Sequence, residues 1–165
     1  MRGGFVDAVP ARRAAMIQLH VAALVALPRS FLPQLIASGR GALVNIASVV
    51  AYQPTPHMAV YGASKAFVLS FTEAIAYETR ATGLRVLAVS PGATATEFFE
   101  IANAEDVTRG SVQTPAQVVA TALGALDRRR TPPSVVSGGT NRLAATLAGV
   151  LPRGVVLDAS GRLLA

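Results

Sequence analysis

The chain has 165 residues, 52% hydrophobic and 15% charged, with neither Cys nor Trp, which suffices for one packed domain and excludes a disordered chain. Without Cys there is no disulfide framework, thiolate catalysis or Cys-ligated metal, and two isolated histidines, His20 and His57, do not make a metal site. A net charge of +6 arises from 14 Arg and one Lys against nine acids, but the basic runs Arg12-Arg13 and Arg128-Arg129-Arg130 carry no interleaved aromatics, so nucleic acid is not an expected partner.

The first element is a long, largely apolar helix from about Pro10 to Ser38, ended by Gly39 in a left-handed C-cap position. Pro28 in its interior costs about 3 kcal/mol and predicts a kink. The most apolar stretch, Ala22 to Ala37, is interrupted by Pro28, Arg29, Pro33 and Gln34. No run reaches the roughly 18 uninterrupted apolar residues of a membrane span, and the N-terminus lacks a signal pattern. The expectation is a cytoplasmic protein with no membrane partner.

A buried strand follows over Ala42 to Ser48, mostly apolar rather than alternating, as parallel strands covered on both faces are. After the Pro-rich loop Gln53 to Pro56, Phe67, Phe71 and Ile75 recur at four-residue spacing in a helix from about Tyr61 to Thr82, closed by Gly83. Leu84 to Ser90 makes a second strand, broken at Pro91-Gly92. A polar segment with Glu97, Glu100, Glu105 and Asp106 reads as a loop or lid. Thr114-Pro115-Ala116-Gln117 supplies an N-cap, a first-turn proline and a capping-box Gln for a helix to about Arg130, where the arginines suit a helix C-terminus.

Pro132-Pro133 stops that helix. Ser134 to Ser137 is a short third strand ended by Gly138-Gly139, and a last helix over about Asn141 to Leu151 precedes Pro152 and a weakly patterned tail. Alternation of this kind predicts an α/β fold in a single domain over 1-165: a doubly wound parallel sheet of about three strands, with right-handed crossovers and helices on both faces. The Ala42 strand would present an apolar edge that needs cover.

In open parallel sheets ligands bind beyond the carboxyl ends of the strands, here Ser48 and Ser90-Pro91-Gly92. Tyr61 and Lys65 open the connecting helix, and their spacing of four puts both on one face. Lys65 is the lone lysine among 14 arginines, a compact ammonium rather than a fork. A cation near a phenol favours the phenolate, which makes Tyr61 a proton donor and acceptor. Ser48 can hydrogen-bond the same substrate oxygen. Each residue also has a plain structural use, as strand-end serine, helix-start aromatic or turn. Their agreement with one geometry favours the site.

Ser48, Tyr61-Gly62-Ala63-Ser64-Lys65 and Ser90-Pro91-Gly92-Ala93-Thr94-Ala95-Thr96 together resemble a short-chain dehydrogenase/reductase, the likeness running from about Phe5 to the Leu163 region. That resemblance implies the later part of a Rossmann-type domain and hydride transfer between NAD(P)(H) and a small-molecule carbonyl or secondary alcohol. Tyr61 would be the general acid in reduction. Lys65 would lower its pKa and bind the nicotinamide ribose, and Ser48 would polarise the substrate oxygen. Tyr61, Lys65, Pro91, Gly92, Thr94 and Thr96 would form the cofactor contacts.

Two family segments have no counterpart. The Thr-Gly-x-x-x-Gly-x-Gly turn that cradles the pyrophosphate is missing, since Gly39-Arg40-Gly41 follows a helix and Gly138-Gly139 comes too late. The Asn-Asn-Ala-Gly segment is missing too. The chain is therefore expected to lack the N-terminal cofactor-binding half and to bind cofactor weakly alone. His20 falls where the family commonly has Asn, and is expected to be a substitution without catalytic gain.

The alternative to an oxidoreductase is a non-catalytic interaction or oligomerisation module, because the helices around 11–38 and 61–82 resemble those through which the family forms oligomers. Either case implies a homo-oligomer or pairing with a relative. Val49, Val50, Tyr52, Met58, Phe98 and Phe99 are the expected lining of an apolar pocket beneath a lid from Glu97 to Arg109.

Overall fold

The computed structural model describes residues 3–7, 9–97 and 112–164. Its centre is strand β2 (Arg85–Ser90), whose sequence carries no charged residue after Arg85 and can therefore be covered on both sides. β1 (Ala42–Ile46) and β3 (Ser134–Val136) flank it, both parallel to it, in the order β1-β2-β3. Ala42 pairs with Arg85 and Ile46 with Val89, while Ser90 pairs with Val136.

The alternation of side chains along β2 builds two small cores. Ala88 points to one face, where it packs with Ala47 and with Val68 and Leu69 of helix α3 (Ala59–Glu78). Leu87 and Val89 point to the other, against Val118 and Ala125 of helix α4 (Pro115–Leu126). The doubly wound arrangement read from the sequence is the one observed. A buried polar link reinforces the first core: Asn45 donates to Thr72 Oγ1 at 2.9 Å, and Thr72 donates to the Val68 carbonyl at 2.6 Å. Among the described residues β1 is paired on one side only, and Val44 and Ile46 on it are exposed.

The long first helix is three pieces: α1 (Pro10–Ile17), a π-helical turn (Gln18–Ala22) and α2 (Ala23–Ala37), with Pro28 and Pro33 carried inside α2. Taken together, Pro10–Ala37 is long and apolar enough to cross a membrane by length and composition. Pro28, Arg29, Pro33 and Gln34 interrupt its apolar run without ending the helix. Its first half lies along α3.

Several boundaries moved. β1 stops at Ile46, so Ser48 is the N-cap of a 3-10 turn (Val49–Tyr52) rather than a strand residue. α3 begins two residues before Tyr61 and ends at Glu78, with Thr79 capping it before the left-handed Gly83. The capping box of α4 is present, Thr114 Oγ1 accepting from Gln117 N and Gln117 Oε1 from Thr114 N. That helix stops at Leu126, so Arg128 to Arg130 follow it instead of sitting in its last turn. Beyond β3 come α5 (Gly139–Val150) and α6 (Arg153–Leu164). α6, which buries Val156, Ser160 and Leu164, occupies the tail that reads as weakly patterned in sequence. Most of the expected lid, including Phe98, Phe99, Glu100, Glu105 and Asp106, lies outside the described residues.

Candidate active site

Two backbone bonds continue the β1–β2 ladder past the end of β1, Ala47 N–H to the Val89 carbonyl at 2.8 Å and Val49 N–H to the Pro91 carbonyl at 3.0 Å. They fix Ser48 between them, level with Pro91. Ser48 is buried, and its Oγ accepts from Val50 N at 3.4 Å, which caps the 3-10 turn.

Tyr61 and Lys65 occupy the first turns of α3. Between them Gly62 is required sterically, because a Cβ there would stand 2.5 Å from Thr55 Oγ1. Tyr61 hydrogen-bonds Ser48. The Lys65 ammonium donates to the Ile46 carbonyl at 2.8 Å and lies 5.8 Å from the centre of the Tyr61 ring. Ser48, Tyr61 and Lys65 thus converge at the carboxyl end of β1.

The electrostatics differ from the sequence expectation. Burial pushes the Tyr61 phenol above its ordinary 10.0, and the Ser48 hydrogen bond offsets only part of that rise. Lys65 is itself pulled below 10.5 by burial. The cation expected to lower the phenol does not prevent that rise: the ammonium is directed at the Ile46 carbonyl and lies 5.8 Å from the ring centre.

The segment after β2 forms a tied loop. Thr94 Oγ1 donates to the Gly92 carbonyl at 3.1 Å and Thr96 Oγ1 to the Thr94 carbonyl at 3.4 Å. Gln113 straps it through Ala95 N–H (2.8 Å) and the Ala93 carbonyl (2.9 Å). Gly92 faces Asn141 so closely that a Cβ would lie 2.4 Å from Nδ2. Pro91 is joined to the Ser48 turn through Val49, whereas Thr96 is exposed at the loop's end.

Of the expected pocket, Tyr52 packs onto the core of Ala47, Val68, Leu69 and Ala88, and Met58 is buried at the N-cap of α3. A cavity of about 330 Å³ lies instead between α2 and β1, lined by Leu24, Leu27, Phe31, Leu35, Leu43 and Asn45, and by none of the three convergent residues.

Two neighbours of Tyr61 were not singled out together from the sequence. The His20 ring meets Tyr61 edge-on, with centroids 6.0 Å apart and planes at 66°. Its Nδ1 is 3.0 Å from Ser64 Oγ. Burial first, and then the Lys65 charge, holds His20 below its ordinary 6.5. The 44-residue separation of His20 and Ser64 left no local signal to find them by.

The donor set suits one end of a nicotinamide cofactor. An ammonium with one proton committed to Ile46, a phenol, and a glycine-lined loop are present. Among the described residues no glycine-rich strand-to-helix turn is present for a pyrophosphate. The nearest in composition, Gly138-Gly139, opens α5, but Asn141 crowds Gly138 at 3.0 Å from its would-be Cβ.

Comparison with known proteins gives concordant matches. The family profile of short chain dehydrogenase matches residues 3–106. A 7beta-hydroxysteroid dehydrogenase of Mediterraneibacter gnavus is 32% identical over 133 residues, 78% of this chain and 49% of its own. Sulfoacetaldehyde reductase 2 of Chromohalobacter salexigens is 45% identical over 84 residues, 50% of this chain and 33% of its own. Among solved structures, a 7beta-hydroxysteroid dehydrogenase superposes with a TM-score of 0.81 at 25% identity, over 98% of this chain and 63% of its own. A short-chain dehydrogenase from Sphingobium yanoikuyae in complex with NADPH gives 0.73 at 35% identity, over 88% and 57%. The chain spans about a third to a half of the length of these curated relatives.

Proposed function

The chain belongs to the short chain dehydrogenase family, and from that premise we propose that its residues supply the proton-transfer half of an NAD(P)-dependent oxidoreductase acting on a carbonyl or secondary alcohol. The observation that carries this reading is the convergence of Ser48, Tyr61 and Lys65 at the carboxyl end of β1, with Tyr61 hydrogen-bonded to Ser48 and the Lys65 ammonium 5.8 Å from its ring centre.

In reduction, Tyr61 holds a proton at Oη through neutral pH and gives it to the carbonyl oxygen as charge develops there. Ser48 donates to the same oxygen or to the phenolate left behind. Lys65 places a positive charge where that phenolate forms, so its burial works in favour of catalysis by strengthening the attraction. The nicotinamide cofactor, when bound, supplies the hydride. Lys65 and Tyr61, with the Pro91-Gly92 backbone, Thr94 and Thr96, would hold its nicotinamide end. Support for that cofactor class comes from NADPH in the Sphingobium yanoikuyae structure and NADP in a Burkholderia cenocepacia short chain dehydrogenase with a TM-score of 0.78 at 25% identity.

The relatives act on a sulfonated aldehyde and on a steroid by name. We read the shared chemistry as the carbonyl or alcohol group alone. We place the protein in the cytoplasm, with Pro10–Ala37 as a packing helix, on the ground that its first half lies along α3 and its second half carries Arg29 and Gln34. Exposed Leu19, Leu27 and Phe31 on that helix, with the open side of β1, favour association with a second copy or a relative, the surface the non-catalytic reading also requires.

A titration with NADH and NADPH, following nicotinamide fluorescence, tests the reading. Saturable binding that weakens most in Lys65→Ala and less in Tyr61→Phe is expected. No binding to the folded chain up to millimolar cofactor would overturn its autonomy as an enzyme and leave the interaction module.

A further inference from the structure

Ser64 stands between Tyr61 and Lys65 on α3, and its hydroxyl is shared by two groups. Oγ lies 2.8 Å from the Tyr61 carbonyl and 3.0 Å from Nδ1 of His20. A hydroxyl has one proton to give. Two oxygens at 2.8 Å need a proton between them, so that proton belongs on the line to the Tyr61 carbonyl. The contact with His20 must then be made with the imidazole's own proton.

We propose that Ser64 locks His20 in the tautomer protonated at Nδ1, and that the His20–Ser64 pair is a positioning clamp holding the Tyr61 turn of α3 against the first helix. Its catalytic consequence rests on Tyr61 being the proton donor proposed above, whereas the tautomer does not. Three further observations support the clamp. His20 sits in the π-helical turn Gln18–Ala22, and such a turn re-aims its side chains relative to the α-helix on either side. Its ring edge meets the Tyr61 ring, so displacement of one displaces the other. Burial and the Lys65 charge keep the imidazole neutral, the state in which its two nitrogens have opposite roles.

The bond uses Nδ1–H, which an imidazole retains when Nε2 also gains a proton. The clamp therefore survives titration of His20, with Nε2 free to accept a hydrogen bond or a proton from solvent or ligand. An Nε2–H tautomer could do neither.

The test is nitrogen NMR on the labelled full chain, which has only two histidines, with exposed His57 as the internal control. Above the imidazole pKa, His20 is expected to show a protonated Nδ1 and a bare Nε2, while His57 shows the Nε2–H form that free imidazole side chains prefer. In Ser64→Ala, His20 should move to the His57 pattern. A carbon-labelled Tyr61 phenol should shift its titration midpoint in the same direction in Ser64→Ala and His20→Ala, more in His20→Ala, which also removes the ring against Tyr61, with no further shift in the double variant. An Nε2–H form of His20 in the wild-type chain, or an unchanged pattern in Ser64→Ala, overturns the proposal, as do additive shifts of the phenol. None of these readouts requires cofactor, so failure of the oxidoreductase reading would leave them standing.

Discussion

Gly62 lies against Thr55 so closely that a β-carbon at residue 62 would stand 2.5 Å from the Thr55 hydroxyl oxygen and 2.7 Å from its Cβ. Thr55 is itself buried, with its hydroxyl on the Gln53 carbonyl at 3.2 Å, so it has little room to retreat. Gly62→Ala is expected to cost about 1–3 kcal/mol, the usual range for overpacking, and to displace Tyr61 one position away. Denaturant unfolding measures the loss. Combining it with Thr55→Gly, which removes both clashing atoms, should recover part of it.

Tyr61→Phe deletes the proton that the proposed reaction needs, together with the hydrogen bond to Ser48. Turnover of a carbonyl substrate is expected to fall about 10²–10⁴-fold, the ordinary worth of a general acid. Cofactor affinity should fall less than in Lys65→Ala. Ser48→Ala removes the hydrogen bond that restrains the phenol, so the Tyr61 midpoint should rise further. Steady-state rates and a phenol titration separate the two effects.

The raised phenol sets the direction of pH dependence. Reduction uses the protonated form and should stay level through neutral pH, falling only above 10.0. Alcohol oxidation uses the phenolate and should rise with pH over the same range. The Lys65 ammonium, depressed below 10.5, loses its proton earlier than an exposed lysine would. The apparent cofactor KM should therefore climb on the alkaline side before the reductive kcat declines. For stability the sign follows from the folded phenol keeping a proton that the unfolded one loses. Its contribution is present below 10.0 and disappears as pH passes the folded value.

Thr72→Val keeps the shape of a fully buried side chain and removes its hydroxyl. Asn45 Nδ2 then loses its acceptor at a site only 7% exposed. A destabilisation of about 1–3 kcal/mol is expected for the unpaired donor. Asn45→Leu in the same chain should relieve it, and thermal unfolding of the single and double variants gives the comparison.

Strands and helix ends with a chemical signature were legible in the sequence. The apolar run of β2 and the Thr114–Gln117 box show themselves within a few residues. So does the spacing of Tyr61 and Lys65, because it needs only one turn of helix. α6 escaped because its buried stripe includes Ser160 and runs beside Gly154 and Gly161, which dilute the pattern. The π-helical turn escaped because residue types do not mark it. The upward shift of the Tyr61 phenol could not be read either, since the burial that causes it is created by chain segments far apart in sequence. The tie between His20 and Ser64 is likewise tertiary.

The strand β1 keeps one row of backbone donors and acceptors unanswered by any described strand. Groups of that kind ordinarily complete a ladder, with a further strand or with another chain. A partner that binds the folded form alone raises its melting temperature by mass action. Were a second copy of this 165-residue chain to complete that ladder, folding and assembly would become a single equilibrium, and the melting temperature would rise with protein concentration.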